Sequence, residues 1–265
     1  MSTKLSSQSQ ALVFLLAVAA LSFVLDVYIV QEARTMTTLA IVPLMWIPGL
    51  VGFACSNQFG NKLRDLALIK PGPMSMVLAY VIPVLMVSLV TGALIVAGIV
   101  TPRLPAESYL RLAFFKPLAS VGVAFILAAG EEIGWRGYFQ THLMRAKVPA
   151  PILVTGFIWS LSYWPLILWV DYAKSPMPWL SAVLFTVSMT GFSVFLSWLR
   201  NYSKSIVPVA LAHATHTVWM RDIGPAFYLP GRLSPYFAGE AGFAAAILYA
   251  VIGYFIYTKL IPKNI

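Results

Sequence analysis

Charge is scarce in this chain. Asp, Glu, Lys and Arg make up 10% of its 265 residues while 60% are hydrophobic, and an ordinary soluble domain carries roughly 25% charge, so a water-exposed globular fold is excluded. Cysteine occurs once, at Cys55, which excludes an intramolecular disulfide, and no Cys/His spacing suggests a structural zinc site. Internal repeats, low-complexity tracts and long linkers are missing as well. The chain therefore reads as one polytopic membrane domain, 1–265, of all-α class. The formal net charge of +9 comes from basic residues scattered among short loops and not gathered in a patch, which argues against nucleic acid as a partner and for the lipid bilayer.

Apolar runs of about 20 residues cross the roughly 30 Å hydrocarbon core. Eight segments qualify: 11–30, 37–55, 76–99, 117 onward, 152–170, 179–199, 206–220 and 241–260. The fourth and seventh are weakest by hydropathy, and both carry ionisable residues. The first stays apolar past Ser22, longer than the apolar stretch of a secretory signal, and reads as an uncleaved span. With the N-terminus cytoplasmic, ten basic residues, Lys4, Lys62, Arg64, Arg145 and Lys204 among them, fall inside. Seven fall outside, including Arg34, Arg103, Arg111, Lys116 and Arg221, a modest positive-inside bias. Short loops and the absence of targeting signals suggest a prokaryotic plasma membrane.

Among the loops, 57–73 alternates Lys62, Arg64, Asp65 and Lys70 with Leu63, Leu66, Leu68 and Ile69. That pattern predicts a short amphipathic helix on the cytoplasmic surface, ended by Pro71 and Pro73. Segment 101–116 is expected to be the outer connection before a fourth span that opens at Pro117. Segment 221–240, rich in Gly and Pro, carries no expected regular structure.

The exception to the scarcity of charge is Glu131-Glu132-Ile133-Gly134-Trp135-Arg136, at the end of the apolar run 118–129. A carboxylate at bilayer depth costs at least about 2.5 kcal/mol, so an intramembrane ionisable residue is a functional hypothesis by default. On a helix Glu132 and Arg136 share a face and can pair, while Glu131 points about 100° away. The spacing thus separates an ion pair from a carboxylate left as acid or base; the bland reading puts all three at a frayed helix end facing headgroups. Counted inward from Lys116, Glu131 lies about 22 Å deep. That is roughly 8 Å from the cytoplasmic face, and His213 and Tyr163 come to about 12 Å and 17 Å from it. One inner-half polar cavity would accommodate all three. In the seventh span His213, His216 and Thr217 follow i, i+3, i+4 spacing and share a face; His142 reads as structural and surface-facing.

These segments resemble the CPBP family, the membrane family of type II CAAX prenyl endopeptidases and bacteriocin-processing or immunity proteins. The resemblance covers 115–220 and rests on an E-E-x-x-x-R motif complete as Glu131, Glu132 and Arg136, a W-x-x-x-H-x-P-like segment at Trp159 to Pro165, and an H-x-x-x-N-like segment starting at His213. Two positions depart from the pattern: Tyr163 stands where the family has histidine, and Thr217 where it has asparagine. A phenol ordinarily titrates near about pH 10 and serves as a hydrogen-bonding group, not a base. A threonine hydroxyl is shorter than an asparagine amide as an oxyanion donor.

The resemblance implies hydrolysis of a peptide bond near the C-terminus of a membrane-attached peptide or protein substrate. Glu131 would be the general base, His213 would position or polarise the water, Glu132 with Arg136 would hold the site, and Tyr163 and Thr217 would act through their hydroxyls. His216 is a possible accessory, or a hydrogen-bonding residue to a neighbouring helix. Glu131, His213 and His216 are enough ligands for a divalent metal such as zinc, but the i, i+3 pair is not the H-E-x-x-H arrangement, and the reading is cofactor-free. The alternative reading is a catalytically degenerate member that binds a membrane partner, confers immunity or regulates another enzyme. A transporter using Glu131 and Asp26 lacks the paired broken helices such proteins carry.

Overall fold

The computed structural model describes residues 5–33, 38–60, 66–104 and 107–262, and these are mostly helical. Helix α1 (Ser7–Tyr28) is capped by Ser6, whose hydroxyl accepts from the Ser9 amide, a preferred N-cap chemistry. It closes in a π-helical turn, Ile29–Ala33. Helix α2 (Thr38–Gln58) contains Pro43 and Pro48, and α3 (Pro73–Val96) starts on proline, whose missing N–H costs nothing in a first turn. Strand β1 (Val100–Pro102) leads to α4 (Glu107–Glu132), which continues through a π-helical segment, Ile133–Phe139, into α5 (Gln140–Arg145). Then come α6 (Pro151–Leu161), α7 (Trp164–Trp169), α8 (Pro178–Ser203) and α9 (Val207–Val218). The chain ends in β2 (Tyr228–Pro230), α10 (Ser234–Phe237) and α11 (Phe243–Lys259).

Helix α8 is the centre of the molecule. It packs on α6, α11, α9, α7 and α3, and 72% of its apolar window is buried against 22% for α1. Leu16 and Phe23 on α1, Leu85 and Leu89 on α3, and Ile247 and Val251 on α11 stay exposed instead. Apolar side chains turned outward from a packed helical core, on helices that satisfy their own backbone hydrogen bonds, are what a hydrocarbon solvent demands. Four stretches among the described residues are long and apolar enough to cross a membrane: Ser7–Gln31, Pro73–Val96, Pro151–Trp169 and Pro178–Ser203. The apolar Phe243–Lys259 is shorter. At one end of the bundle, Ser205 Oγ donates to the Ile69 carbonyl and Ile206 N–H to that of Ala67. Elsewhere β1 and β2 pair antiparallel, Thr101 opposite Leu229, an exception to the all-α expectation.

Four sequence expectations need correction. Helix α4 opens at Glu107, so Pro117 lies inside it, and Arg111 and Lys116 belong to the helix and not to an outer connection. In 57–73, Asn57 and Gln58 complete α2, 61–65 lie outside the described residues, Leu66 has 3-10 geometry and 67–72 is not helical; Leu66 and Ala67 turn into the core, and Pro73 starts a helix instead of ending one. Segment 221–240 is ordered as a 3-10 turn (Gly224–Phe227), β2 and α10. His142 is buried, stacked on Tyr138 at 4.1 Å with Nδ1 2.9 Å from the Tyr138 carbonyl. Lys4, Arg34, Lys62, Leu63, Arg64 and Asp65, named in the charge and loop arguments, lie outside the described residues.

Candidate active site

The glutamates sit in mid-helix, because the chain stays helical for thirteen residues beyond Glu132, to Arg145. Glycine sets their position. A Cβ on Gly130 would lie 2.7 Å from the Met45 carbonyl oxygen, and one on Gly134 would meet Pro48 at 2.4 Å. This small-xxx-small face lets α2 and α4 approach backbone to backbone, and Glu131 and Glu132 lie between the two glycines. Both are buried, at 4% and 0% exposure, as is Arg136 at 0%.

Arg136 Nη1 donates to Glu132 Oε1 at 2.9 Å and Nη2 to Ser193 Oγ at 2.9 Å. Its guanidinium carbon lies 4.2 Å over the Trp159 ring, a cation–π contact. A buried cation is tolerable only with partners on this scale. Ser197 Oγ, one turn along α8 from Ser193, donates to Gln140 Oε1 at 2.7 Å. Ser193 is placed by α6, where a Cβ on Gly156 would overlap it at 2.6 Å.

His213 comes from α9 with Nδ1 2.9 Å from Glu132 Oε1. That oxygen already accepts from Arg136, so it is the acceptor again and Nδ1 carries the proton. The other nitrogen, Nε2, lies 3.8 Å from Glu131 Oε2, and in the neutral ring it is the one that carries the lone pair. Glu131 Oε1 accepts from the Tyr163 hydroxyl at 2.9 Å, while Oε2 has no hydrogen-bond partner among the described residues. Tyr163 reaches it because α6 stops at Leu161 and Tyr163 caps α7. Pro165 accounts for the break, having no N–H to continue the ladder. The sequence offered this hydroxyl to water or an oxyanion, whereas here it is spent on the carboxylate.

The remaining sequence candidates diverge. Thr217 Oγ1 donates to the His213 carbonyl at 3.1 Å. His216 Nε2 lies 2.9 Å from the Tyr249 hydroxyl on α11, its ring stacked on Phe192 at 4.2 Å. Asp26, on α1, is buried at 6% exposure. No group of three or more His, Cys, Asp or Glu among the described residues is arranged to hold a metal ion, and the turn of His216 toward Tyr249 is why the third ligand does not converge.

Two cavities adjoin the cluster. The larger, about 220 Å³, is mostly apolar and is lined by Trp159, Tyr163, Phe185, Phe192, His213 and Thr217, reaching Arg221 and Glu240 at its far end. Glu131 lies outside that lining. It faces a cavity of about 10 Å³ with Trp135, Ser162 and Tyr163, a volume close to the threshold for a single water. Tyr163 walls both.

Sequence reasoning missed Ser193, Trp159 as the cover of Arg136, and the Gly130/Gly134 face. Only the last had a local signal, in its own G-x-x-x-G spacing. No curated protein matches the chain. The family resemblance is nevertheless borne out: residues 113–219, which carry Glu131, Glu132, Arg136, Tyr163, His213 and Thr217, match the family model described as Rce1-like, type II CAAX prenyl endopeptidase.

Proposed function

We propose that the protein is an intramembrane endopeptidase of CAAX type, which hydrolyses a peptide bond near the C-terminus of a membrane-attached substrate. The observation that carries this reading is the convergence of Glu131 Oε2, which has no hydrogen-bond partner among the described residues, and His213 Nε2, 3.8 Å apart. An oxygen about 2.8 Å from each closes a triangle on that base, so one water can give a proton to either atom. Glu131 takes that proton, the water oxygen bonds to the scissile carbonyl carbon, and the tetrahedral intermediate forms. The proton then passes to the leaving nitrogen as the C–N bond breaks, yielding a carboxylic acid and an amine. Tyr163 holds Oε1, which leaves Oε2 as the oxygen that cycles. Glu132 and Arg136 keep the His213 tautomer that points a lone pair at the water. We place this chemistry in eight spans with a cytoplasmic N-terminus in a prokaryotic plasma membrane.

A second reading, a non-catalytic member that binds a membrane partner, is favoured by one observation. Glu131 is separated by Tyr163 from the larger cavity. The two readings part on purified protein in detergent incubated with C-terminally lipid-modified peptides. The peptidase reading expects cleavage by wild type and none by Glu131→Gln; cleavage by both, or by neither, sinks it.

A further inference from the structure

The larger cavity ends, away from His213, at a charged pair that the hydrolytic cluster does not use. Arg221 and Glu240 form an ion pair that lines the cavity on one side and, on the other, an outward groove of about 410 Å³ shared with Lys174 and Asp222. The Arg221 guanidinium carbon lies 4.2 Å over the Tyr172 ring, and Tyr172 meets Tyr163 edge-on at 5.5 Å. The Arg221 side chain keeps 39% exposure against 12% for Glu240, so the cation is the partner that a visitor can reach. An apolar cavity closed by a guanidinium has a definite complement: an apolar segment that ends in a carboxylate, which the planar fork accepts bidentately.

Length agrees with chemistry. Arg221 follows His213 by eight residues on one continuous helical run, about 12 Å along the axis. An extended peptide advances about 3.3 Å per residue. A bond held at His213 and a carboxylate held at Arg221 are therefore separated by about three to four residues. Most of the side chains between are apolar, Phe185, Met189 and Phe192 among them, with His216 and Thr217 the polar exceptions on the His213 helix.

We propose that Arg221 receives the C-terminal carboxylate of a short apolar peptide tail, and that Glu240 occupies that position until the tail displaces it. The proposal rests on the peptidase reading for what is cut there, but the carboxylate site is a binding site in its own right. Exchange of one carboxylate for another leaves Arg221 paired throughout. A peptide amide has no charge to offer and cannot displace Glu240. Lys174, on the same groove, offers the released Glu240 a second cation.

The test uses one N-lipidated peptide with an apolar C-terminal tripeptide, made as free acid and as C-terminal amide. Binding is measured to Glu131→Gln protein in detergent, which separates recognition from cleavage. The free acid is expected to bind about 10- to 100-fold tighter than the amide, the value of a charge-assisted carboxylate contact. Adding Glu240→Gln tightens the acid and leaves the amide unchanged. Adding Arg221→Gln together with Glu240→Gln, so that no carboxylate is stranded, abolishes the difference while amide binding remains. Equal binding of acid and amide, no binding of either, or a double substitution that weakens both alike overturns the proposal. Cleavage by wild type without acid preference would keep the peptidase and remove the carboxylate site; acid-selective binding without cleavage would do the reverse.

Discussion

Replacing Arg136 with methionine strands the Glu132 carboxylate, and the size of the effect follows from the contacts. Arg136 is fully buried and holds Glu132, Ser193 and the Trp159 face at once. Removing one member of a buried ion pair costs about 3–5 kcal/mol because the other charge is left uncompensated. For a chain of this size that corresponds to a Tm lower by about 10 °C. Most of the loss comes from the stranded charge, so Glu132→Gln combined with Arg136→Met should recover more than half of it. The fold supplies its own reporter: the single cysteine, Cys55, is 7% exposed, and its modification by a thiol-reactive dye during a temperature ramp reads unfolding directly. If Arg136→Met melts with wild type, or the double variant melts as low as the single one, Arg136 does not neutralise a charged Glu132 and the division of labour between the glutamates is wrong.

Two further outcomes can be checked by the same thermal assay. Gly134→Ala drives a Cβ into Pro48 at 2.4 Å and should cost about 1–3 kcal/mol as overpacking, whereas Gly122→Ala on the same helix meets nothing within 4 Å and should not lower Tm; equal effects would deny the close crossing of α2 and α4. Burial pushes the Glu240 carboxyl up, but Arg221 beside it and hydrogen bonds from Arg221 and Tyr172 hold it below its ordinary 4.5. A depressed carboxyl stabilises fully above its unfolded pKa and loses that contribution as pH falls through the folded one. The Tm gap between wild type and Glu240→Gln should therefore be constant above about pH 5 and close only below 4.5; a gap that closes between pH 7 and 5 contradicts the pairing.

What the sequence disclosed was local. Glu132 and Arg136 pair at i, i+4 because helix geometry alone brings them together, and His213 stood out as a rare residue in an apolar run. Non-local partners were hidden: nothing near Arg136 in sequence announces Ser193, fifty-seven residues on, and the β1–β2 ribbon joins Thr101 to Leu229. Hydropathy also misplaced the start of α4, since it reads Arg111 and Lys116 as loop although helix formation tolerates both. The surface assigned to His142 failed for a related reason. Its polarity is satisfied inside by the Tyr138 carbonyl, and hydropathy has no means of seeing such a partner.

The two serine contacts on α8 carry a consequence for chain direction. Arg136 bonds Ser193 and Gln140 bonds Ser197, so both numbers rise together and the two helices run the same way. A chain that leaves one helix and enters a parallel neighbour must first travel back the full distance. Neither α6, with eleven residues, nor α7, with six, is long enough alone. Together, as the nineteen-residue stretch Pro151–Trp169, they cover about 28 Å, close to one hydrocarbon thickness. The kink at Tyr163 is thus an interruption within a single return stroke, and any insertion there would change where that stroke ends.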